Sequence, residues 1–171
     1  MAKTEGFLCE RVPIFDSLTK KPKDIRKNMR KRFEQQRKLG VISISEIKLP
    51  LKSRDELPPI LRALQHIYVT PELNEKVFRI LETKVTKGKK KTGRYGMELW
   101  HILVLSVVRL GLDADYDRLD DFANHHKLIR QILGVETTCG EGKRFSRQSI
   151  QDNVSLLDEE TIRQINEVVI S

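Results

Sequence analysis

The chain has 171 residues, with 32 Lys and Arg against 24 Asp and Glu and a formal net charge of +8. This length suits one globular core, or a small domain with an extended arm, and disfavours larger enzyme architectures. The first residues contain no apolar stretch of the kind found in signal peptides, and Cys9 and Cys139 form no CxxC pair. We therefore expect a cytoplasmic protein with reduced cysteines, no zinc knuckle and no membrane-spanning segment.

Positive charge is concentrated in two clusters. Residues 20–38 contain ten basic residues against two acidic ones, and residues 84–94 contain six basic residues and no acid. Clustered Lys and Arg displace counterions from phosphate, so the pattern favours contact with a polyanion, with a solvated helix face as the alternative. The candidate DNA-binding residues in these clusters are Lys20, Lys21, Lys23, Arg26, Lys27, Arg30, Lys31, Arg32, Lys89, Lys90, Lys91 and Arg94.

The spacing of apolar residues predicts a mainly α chain, with a basic N-terminal arm over 1–40 and a multi-helix bundle over 41–171. Within the arm, the spacing predicts a helix over 24–39. Its thin apolar stripe consists of Ile25, Met29 and Phe33.

Two segments are predicted directly after the arm. Alternating Ile42 and Ile44 predict a short extended segment that ends at Pro50. Ser53 and Glu56 form a capping-box pattern, which predicts the start of a helix. The apolar positions of that helix are Ile60, Leu61, Leu64 and Ile67.

The next two helices are predicted on either side of a lysine-rich loop. Pro71 opens the first, which is expected to extend to about Val85. Its inward side is expected to consist of Leu73, Val77, Ile80, Leu81 and Lys84. Residues 97–110 are apolar at ten of fourteen positions, which predicts a helix buried on most of its surface and ended by Gly111.

Three short helices and a final one are predicted to complete the bundle. The inward positions of the first are Tyr116, Leu119, Phe122 and Ala123, and those of the second are Leu128, Ile129, Ile132 and Leu133, before Gly134. Ser146 is expected to cap a helix over 147–157. Asp158 is expected to cap the last helix, with Ile162, Ile165 and Val169 inward.

The stretch GLDADYDRLDDFANHH, residues 111–126, combines carboxylates with imidazoles. One interpretation is a metal-dependent nuclease centre formed by Asp117, Asp121 and His125, which are spaced to share a helix face. The other is ordinary helix-start chemistry, with Asp115 as the N-cap and the remaining acids on a solvated face. We favour the second interpretation, because the spacing joins only two such residues at a time, Asp117 with Asp121 or Asp121 with His125. It brings no third ligand near either pair.

The segment FSRQSIQDNVS has the pattern of the second helix of a helix-turn-helix. With Ile150, Val154 and Leu157 inward, its polar residues would point outward toward base edges. Lys143, Arg144 and Arg147 precede or open this helix, where phosphate is favoured by charge and by free backbone N–H groups. The candidate DNA-binding residues here are Lys143, Arg144, Arg147, Gln148 and Gln151. The outward carboxylate of Asp152 argues against this role, and an ordinary surface helix is the alternative.

Known catalytic motifs are missing from the sequence. It contains no GxxxxGK[ST] phosphate loop, no GxSxG elbow and no HExxH pair. We therefore expect no catalytic residue and no metal ligand in this chain.

Three segments together resemble the N-terminal helical region of bacterial insertion-sequence transposases of the DDE type: SRDELPPILRALQHIYVTPELNEKVFRIL, GMELWHILVLSVVRLGLDADYDRLDDFANHHKLIRQILG and FSRQSIQDNVSLLDEETIRQIN. The resemblance covers about 42–171. It implies that this region recognises the terminal inverted repeats of the element in double-stranded DNA, ahead of an RNase H-like domain that cuts and joins DNA with two Mg²⁺ ions.

The chain ends at Ser171, before any counterpart of that catalytic domain. The expectation is a truncated transposase that binds DNA without strand-transfer activity, needs no cofactor and pairs with intact transposase. Two other functions remain open from the residues alone: the metal-dependent nuclease above, and a helical regulator that binds nucleic acid through residues 20–38.

Overall fold

The computed structural model of the chain describes residues 30–33, 41–50, 52–86, 96–136 and 142–171. Several residues of the sequence-based predictions lie outside these ranges, namely Cys9, Lys20, Lys21, Lys23, Arg26, Lys27, Lys89, Lys90, Lys91, Arg94 and Cys139. Within the described ranges the protein is mainly α, and its helices form a bundle around one hydrophobic core. This confirms the predicted mainly α multi-helix bundle.

The described residues form seven α-helices and one short 3₁₀ helix. The 3₁₀ helix is Ile44–Glu46, and the α-helices are α1 (Leu57–Val69), α2 (Pro71–Thr86), α3 (Leu99–Gly111), α4 (Tyr116–His125), α5 (Lys127–Ile132), α6 (Arg147–Val154) and α7 (Glu159–Ile170). α1 packs against α2 and α3, α7 packs against α2, and α6 packs against both α3 and α4.

The predicted extended segment before α1 is wrong, because a 3₁₀ helix occupies its centre. Ile44 and Ile47 are both buried, three residues apart, while Ile42 is 43% exposed. Gln65 of α1 donates from Nε2 to the carbonyl oxygens of Ile44 and Ile47, at 2.7 and 3.1 Å. The segment therefore packs against α1 with a spacing of three, which a strand cannot provide.

The predicted capping box at the start of α1 is also wrong. Glu56 is the N-cap residue, and its side chain makes no capping hydrogen bond. Asp55 accepts from the backbone N–H of Leu57 at 3.2 Å instead. Because Pro58 and Pro59 have no N–H groups, the first turn has fewer donors that need a cap.

Helix α2 has the predicted start and ends one residue later than expected. Its buried side chains are Val77, Phe78, Leu81 and Val85. Phe78 was not predicted to face inward, whereas Lys84, which was, is exposed. The Lys84 ammonium instead donates to Asp158, the N-cap residue of α7.

Helix α3 forms the centre of the core, as its composition predicted. Trp100 is fully buried, and its Nε1 donates to the carbonyl oxygen of Ile132 at 2.8 Å. His101 lies beside it, with Nε2 3.0 Å from the carbonyl oxygen of Leu133. Carbonyl groups at the end of a helix lack intrahelical partners, so these two rings satisfy the end of α5 and fix it on α3.

The ends of the later helices follow the local sequence closely. Side-chain caps were predicted at Asp115, Ser146 and Asp158, and each accepts from the backbone N–H three residues further on. Helix α6 ends at Val154, earlier than the predicted 157. No described helix has the length and apolar character needed to cross a bilayer.

Candidate nucleic-acid interface

Residues 30–33, here called the strap, cross the helical bundle without being helical. The helix predicted over 24–39 is therefore wrong at these four positions, and its other residues lie outside the described ranges. The Lys31 carbonyl oxygen accepts from the Leu99 N–H at 3.2 Å. Arg30 donates from Nη1 to the Met97 carbonyl oxygen at 3.3 Å and to Oδ1 of Asn153 in α6. These tertiary hydrogen bonds replace the local ones that a helix would need.

Arg32 is held by two carboxylates of α2. Its Nε and Nη2 donate to the two oxygens of Glu82 at 2.6 and 2.9 Å, and its Nη1 donates to Glu75. These hydrogen bonds raise the pKa of Arg32 and lower the pKa of Glu75. Bidentate pairing with Glu82 occupies the guanidinium of Arg32. Two of the predicted phosphate ligands, Arg30 and Arg32, therefore bind other residues of the protein.

Phe33 places the end of the strap against α3 and the end of α5. Its ring lies 5.2 Å from the His101 ring and 6.3 Å from the Tyr68 ring, between centroids. Gly134 has φ +67°, and a Cβ there would lie 2.4 Å from Cζ of Phe33. A glycine is therefore needed at 134 both for its backbone conformation and for the approach of the ring.

The buried His101 is neutral. Burial, and to a lesser extent the nearby Lys143 ammonium, lowers the pKa of His101 to about 3. Its Nδ1 lies 3.6 Å from a carboxylate oxygen of Glu98 and makes no hydrogen bond. Because the ring is uncharged at neutral pH, this contact is not an ion pair.

The segment before α6 is fixed by Asn124 of α4. Asn124 donates from Nδ2 to the Phe145 carbonyl oxygen and accepts at Oδ1 from the Phe145 N–H, each at 2.9 Å. Its Nδ2 also donates to Asp120 at 3.0 Å. These two hydrogen bonds fix the backbone of Phe145, just ahead of α6, against α4.

Arg130 fixes the same segment from the other side. This buried residue donates to the carbonyl oxygens of Ala123 and Lys143, each at 3.3 Å, and to Glu136 at 2.6 Å. A Cβ at Gly142 would lie 2.1 Å from the Val135 carbonyl oxygen, so the chain passes too close for any other residue. Sequence spacing gave no sign of this cluster, because its members come from α4, from α5 and from both ends of the connection between α5 and α6.

The outward face of α6 is polar, as predicted. Ile150 and Val154 are buried, whereas Gln148, Gln151, Asp152 and Ser155 are exposed. Gln148 donates from Nε2 to Oδ1 of Asp152 at 2.7 Å. Successive residues differ by about 100° around a helix, which places these four side chains on one arc.

Three basic residues surround the N-terminal end of α6. Lys143 lies over the Phe145 ring, with its Nζ 5.4 Å from the centroid. Arg144 is exposed and has no ion-pair partner among the described residues. The Arg147 Nε contacts Oδ1 of Asp117 in α4. The predicted cluster is thus present at one end of α6, with one of its charges already paired.

The acidic stretch is distributed over several separate contacts. Asp115 accepts from the Arg118 N–H at 2.8 Å, and the Asp121 carboxylate lies 3.7 Å from Nδ1 of His125. His126 ends α4 and caps α5. In the described part of the chain, no three His, Cys, Asp or Glu side chains come close enough together to hold a metal ion.

Comparison of the chain with protein-family models, with curated proteins and with solved structures finds no match.

Proposed function

We propose that this chain binds double-stranded DNA through α6 and the basic residues just before it. The observation that carries the proposal is the exposed polar face of α6 together with Lys143, Arg144 and Arg147 at its N-terminal end. Helix N-termini and clustered cations favour phosphate, and outward amide side chains can bond base edges. The contacts of Asn124 and Arg130 support it further, because they hold this surface in a fixed position.

Each exposed group on α6 has a suitable partner on duplex DNA. Gln148 and Gln151 can donate to and accept from an adenine in the major groove, and Asp152 can accept from the amino group of cytosine. Arg144 is free to contact phosphate, which would set the position of the helix on the backbone. Lys20, Lys21, Lys23, Arg26 and Lys27 are proposed as additional phosphate contacts on the basis of their charge alone.

The proposed biological role is recognition of the ends of an insertion sequence. It is supported by the resemblance to transposase helical regions and by the helical bundle that the chain forms. The proposal places the protein in the cytoplasm with its DNA, and it assigns strand transfer to none of the residues above.

Fluorescence anisotropy with labelled duplexes tests the proposal. The protein should bind the inverted repeats flanking its gene more tightly than a random duplex of equal length and composition. Arg144→Gln should weaken binding to both duplexes, whereas Gln151→Ala should weaken binding to the repeat alone. Lys127→Gln is the matched control, because Lys127 is an exposed base on α5, outside the proposed surface.

Four outcomes would count against this proposal. Equal affinity for repeat and random duplex would contradict end recognition, and no duplex binding at low salt would contradict DNA binding altogether. Tighter, salt-sensitive binding to RNA would favour the regulator. Cleavage of DNA in Mg²⁺ that is lost in Asp121→Ala would favour the metal-dependent nuclease.

A further inference from the structure

Two carboxylates restrain the side chains at the start of α6. Asp117 reaches from α4 to contact the Arg147 guanidinium, and Asp152 accepts from Gln148 at 2.7 Å. Arg147 and Gln148 are the first two residues of the helix that is proposed to meet DNA. In the free protein, both are therefore bonded to an acid of the same chain.

These contacts are accessible to a ligand and add little to folding. The side chains of Arg147 and Asp117 are 55% and 73% exposed. Ion pairs this exposed are screened by water and contribute little to stability. A role in holding the bundle together therefore does not explain why acids lie at the proposed interface.

A DNA phosphate that binds Arg147 must displace Asp117 and approach its negative charge. A duplex without matching base edges bears this cost in full, because phosphate contacts supply essentially all of its binding. A duplex with matching base edges is also held through α6 and can bind while Arg147 stays paired with Asp117. A cost that falls on one class of partner and not on another raises specificity, because specificity is a difference between two affinities.

We infer that Asp117 and Asp152 are specificity-determining residues of the DNA interface, which hold Arg147 and Gln148 away from the phosphates and bases of non-matching duplexes. The inference rests on the proposed function. It also gives a role to the acidic stretch and to the outward Asp152, neither of which favours DNA binding alone.

The test compares Asp117→Asn with Asp121→Asn in the full chain. Both substitutions remove one negative charge from α4, but Asp121 lies beside His125 and not beside α6. Relative to Asp121→Asn, the Asp117→Asn variant should bind a random duplex roughly threefold to fivefold more tightly. Its preference for the terminal repeat should fall by a similar factor.

A double-mutant cycle shows whether the effect acts through Arg147. In an Arg147→Gln background, Asp117→Asn should bind no more tightly than Asp121→Asn, because there is no guanidinium left to release. Asp152→Asn should likewise tighten binding to a random duplex in the wild-type background and not in a Gln148→Ala background. Thermal unfolding of each variant should match the wild type, in keeping with the exposure of the pair.

The outcomes separate this inference from the proposed function. If the wild type binds duplex DNA but Asp117→Asn and Asp121→Asn bind equally, the inference is overturned and DNA binding stands. An Asp117→Asn effect that persists without Arg147 would also overturn it. If no variant binds duplex at low salt, both the inference and the proposed function fall.

Discussion

Asn124 and Phe145 exchange two hydrogen bonds, side-chain amide to backbone, each 2.9 Å long. Asn124 is the only side chain of α4 among the described contacts that bonds the backbone leading into α6. This amide group therefore fixes the backbone that leads into the proposed DNA-binding helix, together with the hydrogen bonds of Arg130 on the other side.

Asn124→Ala should lower the free energy of unfolding by roughly 1–3 kcal/mol, because it leaves a partly buried N–H and carbonyl of Phe145 unpaired. Urea denaturation would measure the loss. Asn166→Ala, an exposed position on α7, should change stability by less than about 0.5 kcal/mol. Equal effects of the two substitutions would show that the Phe145 contact is not made.

Replacing Arg130 is expected to lower the free energy of unfolding more than replacing Asn124. Arg130→Met keeps much of the side-chain volume but leaves the carbonyl oxygens of Ala123 and Lys143 and the carboxylate of Glu136 without their donor. The loss should be about 3 kcal/mol. Arg163→Met removes an exposed pair with Glu160 on α7 and should cost less than about 1 kcal/mol. Chemical denaturation of both variants checks the difference.

The stability of the protein should fall between pH 6.5 and pH 5 because of His101. In the unfolded chain this ring takes up a proton near pH 6.5, whereas burial lowers its pKa to about 3 in the folded protein. The unfolded state therefore binds the extra proton below pH 6.5, and stability falls by up to about 1.4 kcal/mol per pH unit until the folded pKa is reached. Above pH 6.5 this contribution is fully present.

Denaturation curves at a series of pH values would measure this effect. His101→Phe should flatten the pH dependence in this window, although loss of the hydrogen bond to Leu133 lowers stability at neutral pH. His125→Gln changes an exposed ring on α4 and should preserve the slope. An unchanged slope in His101→Phe would rule out the buried ring as its source.

Local features of the fold could be predicted from the sequence because they depend on nearby residues. The caps at Asp115, Ser146 and Asp158 need only the next three residues, and the inward side of α6 follows from a spacing of four. The predictions failed where a second rule competed. Ile42 and Ile44 suggested alternation, but burial of Ile44 with Ile47 decided the conformation.

Contacts between distant segments could not be predicted in this way. Arg30 and Asn153 are separated by 123 positions, and no spacing rule joins them. For the same reason the sequence indicated the charge of Arg147 at the candidate site but not its pairing with Asp117. Charge clusters can be read from a sequence, whereas the partners that neutralise them depend on how the helices pack.

The docking of the strap can be tested through Gly134, whose φ of +67° and contact with Phe33 make separate demands. Gly134→Ala should cost about 1–2 kcal/mol for the left-handed backbone and a further 1–3 kcal/mol for the clash with the Phe33 ring. In a Phe33→Ala background the clash disappears, so the same substitution should cost only the backbone part. Because the difference between the two costs isolates one contact, a cycle with no coupling would show that Phe33 does not rest on Gly134 in solution.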